Sequence, residues 1–401
     1  MLWMVRAELA ILLALWLMQD WRASNWAGNL FILTLQPSLG MLGDGNKSKL
    51  VELYSLFFRA LMNSAVIFGG MGFIGVFFAQ YLLENNYADK VYLVDIEPVE
   101  IKFSKFRKNQ IANDCRITFL KGDVRELLHW VTPAEPVTLI ANFAAIHREP
   151  GHEDDEYYQT NLLGAENVCA WAEKVGCNNI IFTSSISPYG PSEQVKDERS
   201  LLSPLTAYGG SKLAAEKIHQ IWQARDDANR RLVIVRPGVV FGPGEGGNVS
   251  RLIKAVLHRY FFYMGNKNTR KAGVYVKELC NAMWWVLNRQ STSGEHVSLF
   301  NMSMNPGPSI EEYVNAVCKV AGIQRFVPGV PYRLLLSVAY LIDSIARPLG
   351  IKHPFSPVRI RKLVRSNNIL PNYLVENGYE YRYTLESALA DWRESCPEEW
   401  K

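Results

Sequence analysis

Residues 64–95 read SAVIFGGMGFIGVFFAQYLLENNYADKVYLVD, and this stretch decides the fold. Ala65 to Phe68 is a short apolar run of buried-strand type, followed at once by glycines. Gly69, Gly72 and Gly75 are spaced G-x-x-G-x-x-G, and Phe77, Ala79, Tyr81, Leu82 and Leu83 then mark a helix ending near Asn85. A second strand, Lys90 to Val94, closes on Asp95. Strand, glycine turn, helix, strand and acid in this order make a dinucleotide cradle. Glycines let the backbone turn tightly and approach a pyrophosphate, and the helix N-terminus offers free N–H groups and a partial positive charge. Gly69, Gly72, Phe73, Ile74 and Gly75 are the candidate phosphate contacts. Asp95 lies 20 residues beyond Gly75, the spacing at which a carboxylate takes both ribose hydroxyls. Its charge opposes a 2′-phosphate, so NAD is expected over NADP.

The alternation continues. Strands are expected at Arg116–Leu120, Val137–Asn142, Asn179–Ser184 and Leu232–Arg236, with a helix around Asn161–Val175 between the second and third. Strands separated by helices imply an α/β doubly wound parallel sheet, with ligands at the carboxyl ends of the strands.

Tyr208-Gly209-Gly210-Ser211-Lys212 opens a further helical segment, and a spacing of four puts Tyr208 and Lys212 on one face. A phenol with a pKa of about 10 is a poor base at neutral pH. A neighbouring ammonium and a cationic nicotinamide ring both favour the phenolate. Tyr208 is therefore the candidate base for a substrate hydroxyl whose carbon gives hydride to NAD. Ser185, in TSSISPYG at a strand end, is placed to hydrogen-bond the same oxygen.

With these motifs together, the chain resembles the extended short-chain dehydrogenase/reductases, the group of NAD-dependent sugar-nucleotide epimerases and dehydratases. The resemblance runs from about Asn63 to the C-terminus. It implies a Rossmann-type domain over 62–240 and a smaller, mainly substrate-binding lobe over 241–401. It makes Ser185, Tyr208 and Lys212 the catalytic set, with Lys212 also on the nicotinamide ribose and Asn161 supporting the lysine. It puts Asp123 and Val124 beside the adenine, Asn142, Ala144 and Ala145 along the cofactor, and Pro237 beside the nicotinamide. One departure narrows the chemistry. Dehydratases of the group carry an Asp-Glu pair directly after the catalytic hydroxyl residue, where this chain has Ile186 and Ser187. The expectation is epimerisation of a nucleoside-diphosphate sugar through a keto intermediate. A 3β-hydroxysteroid-dehydrogenase-like enzyme and a non-catalytic NAD-binding protein are the alternatives. By the same resemblance a homodimer is expected.

Substrate contacts are expected from His147 and Ser185, and from Asn248 at the start of the lobe. His152 to Glu156 is acidic and reads as a solvated loop. Leu334 to Ile345 (LLLSVAYLIDSI) is too short to span a bilayer. It reads as a buried helix of the lobe, with membrane docking as the alternative, and a basic cluster of Arg359, Arg361, Lys362 and Arg365 follows it.

The remainder of the chain sets bounds. In 401 residues, 48% are hydrophobic and 20% charged, which suits globular folding and opposes wholesale disorder. A net charge of +4 is too small to argue for nucleic acid. Six scattered cysteines have no zinc spacing, so no metal and a reducing, cytoplasmic setting are expected. Residues 1–61 differ from the rest. Leu9 to Met18 is an apolar run about half the length of a membrane span, preceded by Arg6 and accompanied by Trp16, Trp21 and Trp26. An interfacial anchor, a leader and an extension ahead of a domain starting at Met62 are the readings of this segment.

Overall fold

Each central strand is apolar at successive positions, because both faces of the sheet are covered. In β1 (Ser64–Phe68), Ala65 and Ile67 enter one hydrophobic cluster while Val66 and Phe68 enter another on the opposite face. The same division holds for Val91 and Leu93 against Tyr92 and Val94 in β2 (Lys90–Asp95). Strands buried on both faces lose the polar alternation of a half-exposed strand. The sheet continues with β3 (Ile117–Lys121), β4 (Val137–Asn142), β5 (Asn179–Thr183), β6 (Arg231–Pro237) and β7 (Val297–Met302). All seven run parallel, in the order β7-β6-β5-β4-β1-β2-β3.

The order reverses beside β1: the chain winds outward through β2 and β3, then returns to place β4 on the other edge of β1. A crevice opens at the carboxyl ends of β1 and β4, where doubly wound sheets bind ligands. The computed structural model describes residues 63–96, 105–111, 114–129, 131–147, 151–346 and 365–401.

Among the described residues the α-helices are α1 (Phe73–Glu84), α2 (Lys105–Ile111), α3 (Asp154–Val175), α4 (Ala207–Ala224), α5 (Asn248–Leu257), α6 (Val276–Ser293), α7 (Ile310–Ala321), α8 (Tyr332–Ala346), α9 (Asn372–Glu376) and α10 (Leu385–Ser395). Helices α3 and α4 pack together on one face of the sheet, and α1 and α6 on the other.

Three sequence expectations change. The acidic stretch at His152–Glu156 is largely the start of α3. Asp154, Asp155 and Glu156 form its first turn, and Glu153 and Glu156 close a capping box. Carboxylates are favoured there because they oppose the helix N-terminal partial charge. The main sheet also draws on the region beyond 240, since β7 pairs with β6 from Val297↔Leu232 to Met302↔Pro237. Finally, α8 is not a buried helix: Leu334 is 55% and Leu341 62% exposed. The N-terminal readings and Arg359, Arg361 and Lys362 of the basic cluster lie outside the described residues.

Candidate active site

The glycine turn is as tight as its sequence suggests. Gly69 has φ +69°, and a Cβ there would sit 2.7 Å from the backbone nitrogen of Ala144. A Cβ on Gly75 would meet the Gly70 carbonyl oxygen at 2.6 Å. The turn is thus wedged between the ends of β1 and β4, with Phe143 and Ala144 along its far side. Helix α1 starts at Phe73 and Ile74 with Gly72 as its N-cap, so no side chain caps its first turn. Asp95, at the carboxyl end of β2, accepts a hydrogen bond from the Met71 N–H of the turn at 3.1 Å. Backbone donors, missing Cβ atoms and an adjacent carboxylate fit a dinucleotide diphosphate and its ribose.

Along β4, Asn142 is 2% exposed and its Oδ1 has no hydrogen-bond partner among the described residues. Its Nδ2 faces His219 Nε2 at 3.2 Å, while His219 Nδ1 lies 2.8 Å from the Ala215 carbonyl. A carbonyl only accepts, so Nδ1 carries the proton and Nε2 accepts from Asn142. Burial drives the His219 pKa down to about 4, which keeps the ring neutral. It stacks on Phe182 at 4.1 Å.

The reactive candidates converge at the ends of β5 and β6. Ser185 is buried just past β5; its Oγ donates to Ser187 Oγ at 3.1 Å and accepts from the Ser187 N–H at 3.1 Å. The turn is backed by β6, since Ile186 N–H donates to the Pro237 carbonyl at 3.2 Å. Tyr208 and Lys212 occupy the first turns of α4, whose N-cap Thr206 accepts from Gly209 N–H. Gly209 allows the helix to seat here: a Cβ would fall 2.9 Å from the Ser187 carbonyl. Tyr208 is half-buried, with its ring 6.1 Å from that of Tyr157. Lys212 Nζ donates to the Thr183 carbonyl at 2.8 Å and lies 5.0 Å from the centre of the Phe182 ring. Burial brings the Lys212 pKa down to about 7, opposed by the Glu216 carboxylate. Asn161 donates to Ser211 Oγ at 2.9 Å and accepts from Ile146 N–H at 3.0 Å. It therefore ties the segment after β4 to the residue beside Lys212, and it holds the backbone next to His147.

The other expected residues sit further out. Asp123 is engaged by Arg125 through Nε and Nη2, and that hydrogen bonding holds its pKa below the ordinary range. Val124 is buried, and a Cβ on Gly164 would be 2.8 Å from its side chain. Asn248 is exposed at the start of α5, where its Oδ1 accepts from Arg251 at 2.9 Å. Lining up residues by sequence missed a buried network beneath the site. Arg236 grips Glu216 with Nε and Nη2 at 2.8 and 2.6 Å, and its Nη1 donates to Tyr189 Oη at 2.9 Å. Tyr189 in turn donates to Asn301 Oδ1 at 2.8 Å, and Ser184 donates to Glu216. Burial opposes the Arg236 charge, but its hydrogen bonds to Glu216 outweigh it and raise the pKa above its ordinary value. The available signal was Glu216 itself, four residues beyond Lys212 on the same helix face.

This geometry defines a doubly wound, dinucleotide-binding oxidoreductase with a serine, tyrosine and lysine at the carboxyl edge. The profile of the NAD dependent epimerase/dehydratase family matches residues 65–300, and the chain belongs to that family, with NAD as its cofactor. The chain is 28% identical over 329 residues to the Escherichia coli O157:H7 N-acetyl-alpha-D-glucosaminyl-diphospho-ditrans,octacis-undecaprenol 4-epimerase, covering 82% of this chain and 93% of that protein. It is 22% identical over 350 residues to the Candida albicans decarboxylating sterol-4-alpha-carboxylate 3-dehydrogenase, covering 82% and 97%. Among solved structures, the Bacillus cereus UDP-glucuronic acid 4-epimerase in complex with NAD superposes with a TM-score of 0.64 at 17% identity, covering 84% of this chain and all of that one.

Proposed function

We propose that this chain epimerises a sugar carried on a diphosphate, oxidising one ring hydroxyl to a ketone and restoring it with inverted configuration. The observation that carries the reading is the grouping of Ser185, Tyr208 and Lys212 around the ends of β5 and β6, beside the glycine cradle, with Ile186 and Ser187 where elimination would need acids. Carbon 4 is favoured because the relatives of this type are named as 4-epimerases. The cradle of Gly69, Gly72 and Gly75 with Asp95 would hold NAD, which would supply the hydride acceptor and donor for the sugar carbon. The Tyr208 phenolate takes the hydroxyl proton and later returns it to the same oxygen, which Ser185 Oγ holds by a hydrogen bond. The Lys212 ammonium lowers the cost of the phenolate. Asn161 positions the start of α4, and the Glu216–Arg236 pair stiffens the floor below it. His147 and Asn248 are proposed sugar and diphosphate contacts, and Asp123, Val124 and Pro237 flank the cofactor.

A nucleoside diphosphate is the proposed second arm of the substrate. The E. coli relative, which aligns over most of both chains, favours a second form in which that arm is a lipid diphosphate. A homodimer and attachment to a membrane through residues 1–61 belong to the same reading. The Tyr208→Phe protein tests it: NAD binding should persist while turnover of UDP-linked sugars falls about 100-fold or more. Product stereochemistry is followed by NMR, with a 3β-hydroxysteroid in parallel. Retained epimerisation by this variant, or turnover of the steroid alone, refutes the proposal.

A further inference from the structure

Helix α8 carries more large apolar side chains than its buried face covers. Ala339 and Ala346, seven residues apart on one face, are its buried side chains at 1% and 7% exposure. The opposite face carries Leu334, Val338 and Leu341 at i, i+4 and i+7, and they are 55%, 46% and 62% exposed. Leu335, Leu336 and Ile342 are half-buried beside the alanines, so the helix is seated on that face and leaves a separate apolar stripe of Leu334, Val338 and Leu341 exposed. Charge says what suits that stripe. Residues 331–365 contain seven Lys and Arg against the single acid Asp343. That stretch is net +6 while the whole chain is net +4, so everything else together is net negative. Arg333, at the start of the helix, and Arg365, where the described chain resumes, are both exposed. No described helix is long and apolar enough to cross a membrane. An apolar stripe on a short helix, within a segment that holds the chain's whole positive balance, has the chemistry of an element lying in the plane of an anionic bilayer.

We infer that α8 is a docking helix for a membrane surface bearing anionic lipid, with Leu334, Val338 and Leu341 inserted among the acyl chains. The docking stands on α8 and on charge alone. It adds to the proposed epimerase a location at which a sugar diphosphate with a lipid arm would be met.

The test uses the full chain and sedimentation with vesicles of phosphatidylcholine, with and without phosphatidylglycerol. The protein is expected to bind the phosphatidylglycerol vesicles, more weakly at high salt. The double variant Leu334→Ser with Leu341→Ser should lower its vesicle affinity by about tenfold or more, since two large apolar groups no longer enter the bilayer. Turnover of a UDP-linked sugar in solution and the melting temperature should remain unchanged, which separates loss of docking from loss of folding. Vesicle binding that survives the double substitution assigns the membrane contact to the Leu9–Met18 run and overturns the inference. So does a wild-type chain that ignores the vesicles, or a double variant whose only change is a dimer falling to monomer, which makes the stripe a contact between copies. The Tyr208→Phe experiment fails or succeeds independently of all three.

Discussion

At the residue scale the site depends on groups held where water would not leave them. Lys212 has no access to solvent beyond 3% and donates to a backbone carbonyl. Its folded pKa of about 7 lies below the ordinary lysine value of 10.5. Between those two values the unfolded chain binds more protons than the folded one, so this group makes stability rise with pH across that window. Thermal melts of the protein without NAD should show that rise from pH 7 to 10, and Lys212→Met should flatten it. His219, pushed down to about 4 from 6.5, acts in the same direction in acid: its contribution is present above pH 6.5 and is lost as pH falls toward 4. Gly75 is constrained in a different way, by space. Gly75→Ala brings a methyl against the Gly70 carbonyl. NAD affinity measured by calorimetry should fall by about tenfold or more, because the turn must open to admit that carbon.

At the element scale, β5, α4 and β6 act as one unit, and the Glu216–Arg236 pair is what joins them. Both side chains are almost wholly buried, at 1% and 4% exposure. Removing one charge strands the other in a medium that solvates it poorly, so Glu216→Gln is expected to lower stability by about 3–5 kcal/mol in urea unfolding. The pair was harder to see in the sequence than Tyr208 and Lys212. Its partners come from separate strands and loops, Ser184, Tyr189, Arg236 and Asn301, and no local spacing links them. The opposite holds for β1, α1 and β2, where the contacts that shape the cradle, apart from those with Phe143 and Ala144, lie within about one βαβ unit. Helix α3 stands between these cases: its acidic first turn was visible as charge, but it could be assigned to the helix only through the reciprocal cap of Glu153 and Glu156.

At the scale of the whole molecule, one apolar cluster runs from β1 and α1 through α6 and α7 to α10. Trp392 is fully buried within it, stacks on Phe241 at 6.3 Å, and donates from Nε1 to Glu399 at 2.7 Å. The C-terminal helix is therefore part of the main core. Trp392→Ala should cost about 3–5 kcal/mol, and calorimetry should show a single lowered transition for the part of the chain this cluster joins.

The sequence by itself determined the parallel doubly wound sheet and the glycine turn with its acid, and it supplied Ser185, Tyr208 and Lys212 as the proposed catalytic set. Each of these is written in short spacings, because a turn, a helix face and a strand end are local structures. Only the tertiary structure decided that β7 completes the sheet, that Glu216 lies beneath the site gripped by Arg236, and that α8 leaves Leu334 and Leu341 exposed. Strand pairing, burial of charge and the facing of a helix depend on residues far apart in the chain. An apolar run records that a surface is greasy, but the rest of the fold settles what that surface meets.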